Sequence, residues 1–217
     1  MDNLSIIIRN KDEQDYIGFA IQSCLDFFKK PEIIIIDNDS RDDSLEIVNL
    51  FSDRTSVRVL NNSTYTPGKS INLGVRNSSK DYILILSAHA QIKKIDFKKV
   101  KSQLKNHKAV FGKQIPIYKG KKITPRYIWN HFGNKEVVNM YSKSEDRYFF
   151  HNAFSFFEKK TLIDYPFDEI YPGKEDRFWA KNLVENNNTY LYDPEQVINH
   201  FYTSSGAVSY THLRAHE

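Results

Sequence analysis

Two hydrophobic periods alternate along the first third of the chain. "LSIII" is a β-branched run, and "DEQDYIGFAIQSCLDFF" then places apolar residues at helical spacing, which predicts a strand followed by a helix. The rhythm repeats with "PEIIIID" as a fully buried strand and "SRDDSLEIVNLF" as a helix whose N-cap would be Ser40. "SVRVLNN" is a third strand, "TPGKSINLGVRNSS" a helix entered through a Pro-Gly turn, and "DYILILS" a fourth strand. Strands so continuously apolar are buried on both faces, as parallel strands are. The pattern therefore predicts an α/β fold: a mostly parallel, doubly wound sheet with helices on both faces.

After about residue 93 the rhythm weakens. A Lys-rich amphipathic segment "DFKKVKSQLKNHK" reads as a surface helix with a solvated basic side, followed by a strand "AVFGKQIPIY", a polar and aromatic stretch at 118–148, and "YFFHNAFSFFEKKTLI". With no repeat and no low-complexity linker, residues 1–206 are expected to form one domain in two halves, about 1–92 and about 93–206. The segment 207–217, "AVSYTHLRAHE", resembles the translated read-through of a sequencing adapter; it is expected to be an artefactual, disordered tail, and His212 and His216 are not counted as ligands.

Composition narrows the picture only slightly. At 217 residues and 40% hydrophobic, the chain can bury a real core. The formal charge of +4, from 31 Lys and Arg against 27 Asp and Glu, suits anionic ligands or an anionic membrane surface but is too weak to indicate nucleic acid. A lone Cys24 in an apolar stretch cannot form an intramolecular disulfide. Neither an apolar leader nor a run of roughly 18 apolar residues occurs, so the expectation is a cytoplasmic protein, compatible with peripheral association at the inner face of a membrane.

Candidate chemistry gathers at predicted strand ends. The first strand runs into Arg9, Asn10, Lys11, Asp12 and Glu13, and the second into Asp37, Asn38, Asp39 and Ser40. Parallel strands deliver such clusters to one sheet edge, where carboxylates and amides can accept from a base N–H or ribose hydroxyls. The same residues could instead cap the following helices. The fourth strand runs directly into Ser87, Ala88 and His89. No glycine-rich phosphate loop follows the first strand, which removes the dinucleotide fingerprint and the Walker loop, and weighs against a nucleotidyltransferase.

The stretches "SIIIRNKDEQDYIGFAIQSCL", "EIIIIDNDSRDDSLEIV", "PGKSINLGV", "KDYILILSAHA" and "PFDEIYPGKEDRFWA" together resemble family 2 glycosyltransferases, nucleotide-diphospho-sugar transferases of the GT-A type. The resemblance implies that residues 87–89 stand where the family carries Asp-x-Asp, whose carboxylate binds a divalent metal on the donor diphosphate. Here Ser87-Ala88-His89 brings an imidazole and no negative charge, a poor set for Mg²⁺ and a usable nitrogen for Mn²⁺, so the divalent metal, Mn²⁺ or Mg²⁺, is left open. His200 is implied as a second ligand of metal or diphosphate. Asp176 maps to the family's general base, which takes the acceptor hydroxyl proton in an inverting transfer, and Glu175 to its partner, which positions the acceptor or a neighbouring loop. Favourable interaction with a helix dipole is the competing explanation for both.

By the same mapping Asp37 and Asn38 lie beneath the nucleotide and Lys69 passes the donor phosphates. Together with Arg9, Asp12 and Asp39 they form the expected nucleotide set. Asn152 and His151 fall in the segment lining the donor sugar and acceptor pocket, whereas Trp179 is expected to be helix packing. The implied function is transfer of a sugar from a UDP- or dTDP-sugar donor to a glycan or lipid-linked acceptor in bacterial surface polysaccharide synthesis. The alternative is a non-catalytic sugar-nucleotide or glycan-binding protein of the same fold.

Overall fold

The Ile-rich runs form the centre of one sheet. In the computed structural model, which describes residues 2–122 and 131–202, β1 (Leu4–Asn10), β2 (Glu32–Asp37), β3 (Ser56–Asn61) and β4 (Tyr82–Ser87) are parallel and lie in the order β3-β2-β1-β4. The segment 207–217 lies outside the described residues. Between these strands run α1 (Ile17–Phe27), α2 (Ser44–Asn49) and α3 (Pro67–Asn77).

The second half adds β5 (Ala90–Lys94), α4 (Phe97–Leu104), β6 (Ala109–Tyr118), and short strands β7 (Lys121–Lys122), β8 (Val137–Val138), β9 (Tyr141–Ser142) and β10 (Arg147–Tyr148). These are followed by β11 (Phe154–Glu158), α5 (Lys159–Asp164), α6 (Glu175–Glu185) and β12 (Tyr190–Phe201). The sheet continues from β4 as β11-β6-β12-β5, with β7 on β6 and β8 on β12, while β9 and β10 make a separate hairpin. Here the strand directions mix. β11 is antiparallel to both β4 and β6, and β12 is parallel to β6 but antiparallel to β5.

Side chains alternate between the two faces of the sheet and build two separate cores. One unites Leu4, Ile6 and Ile8 of β1 with Ile33 and Ile35 of β2, and with Ile17, Ile21 and Cys24 of α1, Val48 of α2 and Val100 of α4. The other unites Ile7, Ile34, Ile83 and Ile85 with Ile71 and Val75 of α3, Leu162 of α5, and Trp179 and Leu183 of α6. Trp179 is core, as its spacing predicts: it packs on Phe150, Phe157 and Phe167 and donates its indole N–H to the Tyr165 carbonyl at 2.8 Å.

One capping expectation is corrected. α2 starts at Ser44 behind Asp43, not behind Ser40. Asp39 takes a positive φ of 53°, and the chain turns so that Ser40 bonds Asp37 instead, Oγ to Oδ1 at 2.6 Å and N–H to Oδ2 at 3.0 Å. Asn and Asp tolerate this left-handed conformation, which ends β2 before the helix can begin.

At the opposite edge a buried carboxylate ties strand starts together. Glu32 accepts from Ser5 Oγ, from the Ser79 N–H at 2.8 Å and from Arg58 at 2.8 Å. Burial alone would raise its pKa, but these donors outweigh it and hold the pKa below the usual glutamate value. Glu32→Gln is therefore expected to cost about 1–3 kcal/mol at neutral pH. In urea melts the difference from the parent is full above the pH where an unfolded glutamate ionises and shrinks as pH falls through the lowered Glu32 pKa.

Candidate active site

The strand order changes direction between β1 and β4, and the carboxyl ends of parallel strands at such a point are where open α/β sheets bind ligands. Arg9 stands in register with Ile36 and Ser87, and Asn10 with Asp37. Because β11 runs antiparallel to β4, the residues before it arrive at this same edge: the Ser87 N–H donates to the Ala153 carbonyl at 3.0 Å. β12 brings His200 in register with Ala90, and the Phe201 N–H bonds the His89 carbonyl at 2.9 Å. α6 enters through Lys174, whose φ of 65° is left-handed, and starts with Glu175 and Asp176.

Three histidines converge here. His89 Nδ1 and Glu13 Oε1 are 2.8 Å apart, and Glu13 is buried just ahead of α1. The His89 ring stacks on His200 with centroids 4.9 Å apart and planes within 7°, and His200 Nδ1 is 2.7 Å from Gln114 Oε1. His151 meets the edge of His200 at 6.2 Å and accepts the Ala153 N–H through Nδ1 at 3.3 Å. Burial, followed by repulsion from Arg9, Arg147, Arg177 and His89, pushes His151 down to about 3, so its ring is neutral. Burial and the neighbouring histidines likewise hold His200 well below the ordinary histidine value.

The acidic pair divides into two environments. Glu175 is 6% exposed, and its Oε1 accepts from Arg9 at 3.2 Å and from the Asn152 amide at 2.8 Å. Asp176 is partly buried and takes the Arg177 N–H on Oδ1 at 2.8 Å. Burial and the adjacent Glu175 raise its pKa to about 7, against the opposing pull of Arg177 and Arg147. A carboxyl poised near neutrality can take a proton from a hydroxyl and release it again. The arginines belong to a cluster on Glu145, which pairs with Arg147 at 2.6 Å and lies 3.9 Å from Arg177.

The expected nucleotide residues are distributed differently. Asp37 is buried, its carboxylate held by Asn10 and Ser40. The Asp12 carboxylate accepts the Arg41 N–H at 2.7 Å, Asp39 accepts from Asn61 at 2.6 Å, and the Asn38 N–H continues the ladder to the Asn10 carbonyl at 3.0 Å. These side chains join the ends of β1, β2 and β3. Lys69 reaches Thr64 on the approach to α3. Arg9 and Asn152 each give a donor to Glu175. A cavity of about 390 Å³ lies elsewhere, beside α4, and none of these residues lines it. The candidate site is an open edge.

The donor set, two imidazoles with no carboxylate, is a poor one for Mg²⁺. His89 and His200 stack with centroids 4.9 Å apart, and with each Nδ1 bonded, to Glu13 and to Gln114, Nε2 is the nitrogen through which either would reach a softer ion such as Mn²⁺ or a diphosphate oxygen. Among the described residues no group of three or more His, Cys, Asp or Glu side chains is placed to hold a metal ion.

Sequence reasoning placed Glu13 in a strand-end cluster without its histidine, and passed over Glu145, Arg147 and Arg177 altogether. No local spacing marks them, since Glu13 and His89 are 76 positions apart.

The family model described as Glycosyl transferase family 2 matches residues 5–166. No curated protein matches the chain. Among solved structures, S. aureus TarS 1-349 in complex with UDP-GlcNAc is similar with a TM-score of 0.73 and 19% identity, over 95% of this chain and 60% of that one. The same protein in complex with UDP gives 0.70 and 19% over 92% and 60%. GalNAc-T7 with UDP, GalNAc and Mn²⁺ gives 0.71 and 13% over 94% and 44%. The chain thus spans 60% or less of the length of these structures.

Proposed function

The chain belongs to glycosyl transferase family 2, and from that premise we propose that it is an inverting glycosyltransferase using a UDP- or dTDP-sugar. The acceptor is a hydroxyl of a glycan or lipid-linked saccharide in bacterial surface polysaccharide synthesis. The observation that carries the reading is Asp176, a partly buried carboxyl with its pKa raised to about 7, next to Glu175, which is bonded to Arg9 near the carboxyl end of β1. Solved structures of the same fold include complexes with UDP-GlcNAc and UDP, which supports a nucleotide-sugar donor. Among the described residues no helix is long and apolar enough to cross a membrane.

In this reading Asp176 removes the acceptor proton as its oxygen attacks the anomeric carbon, and the nucleoside diphosphate leaves on the opposite face. The stacked Tyr171 and Phe178 rings, 3.9 Å apart with Phe178 40% exposed, offer an apolar face for a sugar beside the base. No step is routed through a metal. His89, when protonated, donates Nδ1–H to Glu13 and offers Nε2–H to a diphosphate oxygen.

The test is nucleotide release from a panel of UDP- and dTDP-sugars, with glycan acceptors present or absent. One donor is expected to be turned over, faster with its acceptor. Glu13→Gln is expected to lower kcat/KM about tenfold or more, the worth of a hydrogen bond to a charged group at ~1.5–3 kcal/mol. Binding of a donor with no release under any condition would replace the enzyme with a non-catalytic sugar-nucleotide-binding protein.

A further inference from the structure

Arg9 and Asn152 come from distant strands and address one atom. Arg9 is the penultimate residue of β1, and Asn152 precedes β11. Their donors meet at Glu175 Oε1, 3.2 and 2.8 Å away, on a carboxylate too buried for water to replace either. Glu175 is the first residue of α6, and Asp176 is the second. We propose that Arg9 and Asn152 are positioning residues: their shared hold on Glu175 pins the first turn of α6 to the strand ends and aims Asp176 at the acceptor. Arg9 is then no donor ligand. The proposal rests on the glycosyl-transfer reading of the site.

Charge gives Arg9 a second duty that Asn152 cannot share. The groups around Asp176 are Glu175 and Arg177 on α6, Arg147 on β10 with Glu145 before it, His151 ahead of β11, and Arg9 at the end of β1 with Tyr65 close by. Arg147 and Arg177 both lie against Glu145, so Arg9 is the cation paired with Glu175. Without it, an uncompensated buried carboxylate stands next to Asp176 and strengthens that residue's hold on its proton.

The test follows the Asp176 carboxyl directly by ¹³C NMR, with the resonance identified by its absence in Asp176→Asn, while calorimetry measures UDP-sugar affinity. In Arg9→Gln the Asp176 midpoint is expected to rise by about one pH unit. Arg9→Lys, which keeps the charge, is expected to recover most of that shift, and Asn152→Ala to produce a smaller one. Donor affinity is expected to change less than about threefold, roughly 0.6 kcal/mol. An unchanged midpoint in Arg9→Gln overturns the proposal, and an accompanying tenfold loss of donor affinity would make Arg9 a nucleotide ligand. Should Arg9→Gln fail to fold, judged by circular dichroism, Asn152→Ala decides: a midpoint unmoved there overturns the shared hold. Titration requires no turnover, so a parent protein that transfers no sugar would refute the function proposed above without touching this result.

Discussion

Asp176→Asn is expected to lower the rate of sugar transfer by about 10²–10⁴-fold, the usual worth of a positioned general base, and at the same time to make the protein more stable. Both effects come from one environment. Burial and Glu175 raise the folded-state pKa of Asp176 to about 7, far above that of an aspartate in the unfolded chain. Between about pH 4 and 7 the native state binds the extra proton, so this residue costs stability progressively as pH rises through that window, and the full cost stands above about 7. Asparagine has no charge to desolvate. Thermal melts at pH 8 should place the variant about 2–8 °C above the parent, for a gain of about 1–2 kcal/mol in a chain of this size, and the gap should close near pH 4. The parent's log(kcat/KM) should climb with unit slope to a plateau near pH 7. A variant that keeps a tenth or more of the parent rate removes Asp176 from the mechanism.

A single methyl group at Gly68 is expected to do comparable harm by a different route. A Cβ there would stand 2.2 Å from the Asp168 carbonyl oxygen and 2.9 Å from its carbon, and backbone cannot yield as a side-chain tip can. This close approach lets α3 hold the segment leading to α6. Thr66 Oγ1 donates to the Glu169 carbonyl at 2.7 Å, and Asn72 exchanges two hydrogen bonds with the Phe167 backbone, at 2.7 and 3.1 Å. Gly68→Ala is expected to cost about 3 kcal/mol, with a fall of roughly 6–12 °C in Tm. Turnover at a temperature where the variant is still folded should drop as well, because residues 167–174 run straight into the base. Gly173→Ala is the control: nothing lies within 4 Å of a Cβ at that position, and its melt should stay close to the parent's.

The nucleotide-side half of the fold was readable because each of its elements is locally consistent. "IIIID" can only be a strand buried on both faces, and "PGKSINLGV" carries its own N-terminal signal, with Thr66 accepting the Lys69 N–H. The direction of β11 was not readable. "FSFFE" announces burial, but its antiparallel place between β4 and β6 is fixed by the connection before it, not by its own pattern. Site residues divide the same way. His89, His200 and the Glu175–Asp176 pair sit at element ends that periodicity can find. The partners that give them their chemistry are long-range: Arg9 and Glu175 are 166 positions apart, and Asn152 and Glu175 23. That distance is why the contact of Arg9 and Asn152 with Glu175 leaves no signal in the sequence.

The sheet between two cores also decides where this protein can change safely. Trp179, Ala180 and Leu183, which seat the base helix, belong wholly to the aromatic compartment with α3 and α5, while Cys24, Val48 and Val100 share no partner with them. Substitutions in contact couple, and those separated by a rigid layer combine additively. The α1–α2–α4 compartment is therefore the side on which thermostability can be engineered, or drift tolerated, without disturbing the seat of α6. The aromatic side is the one through which altered specificity would have to be selected.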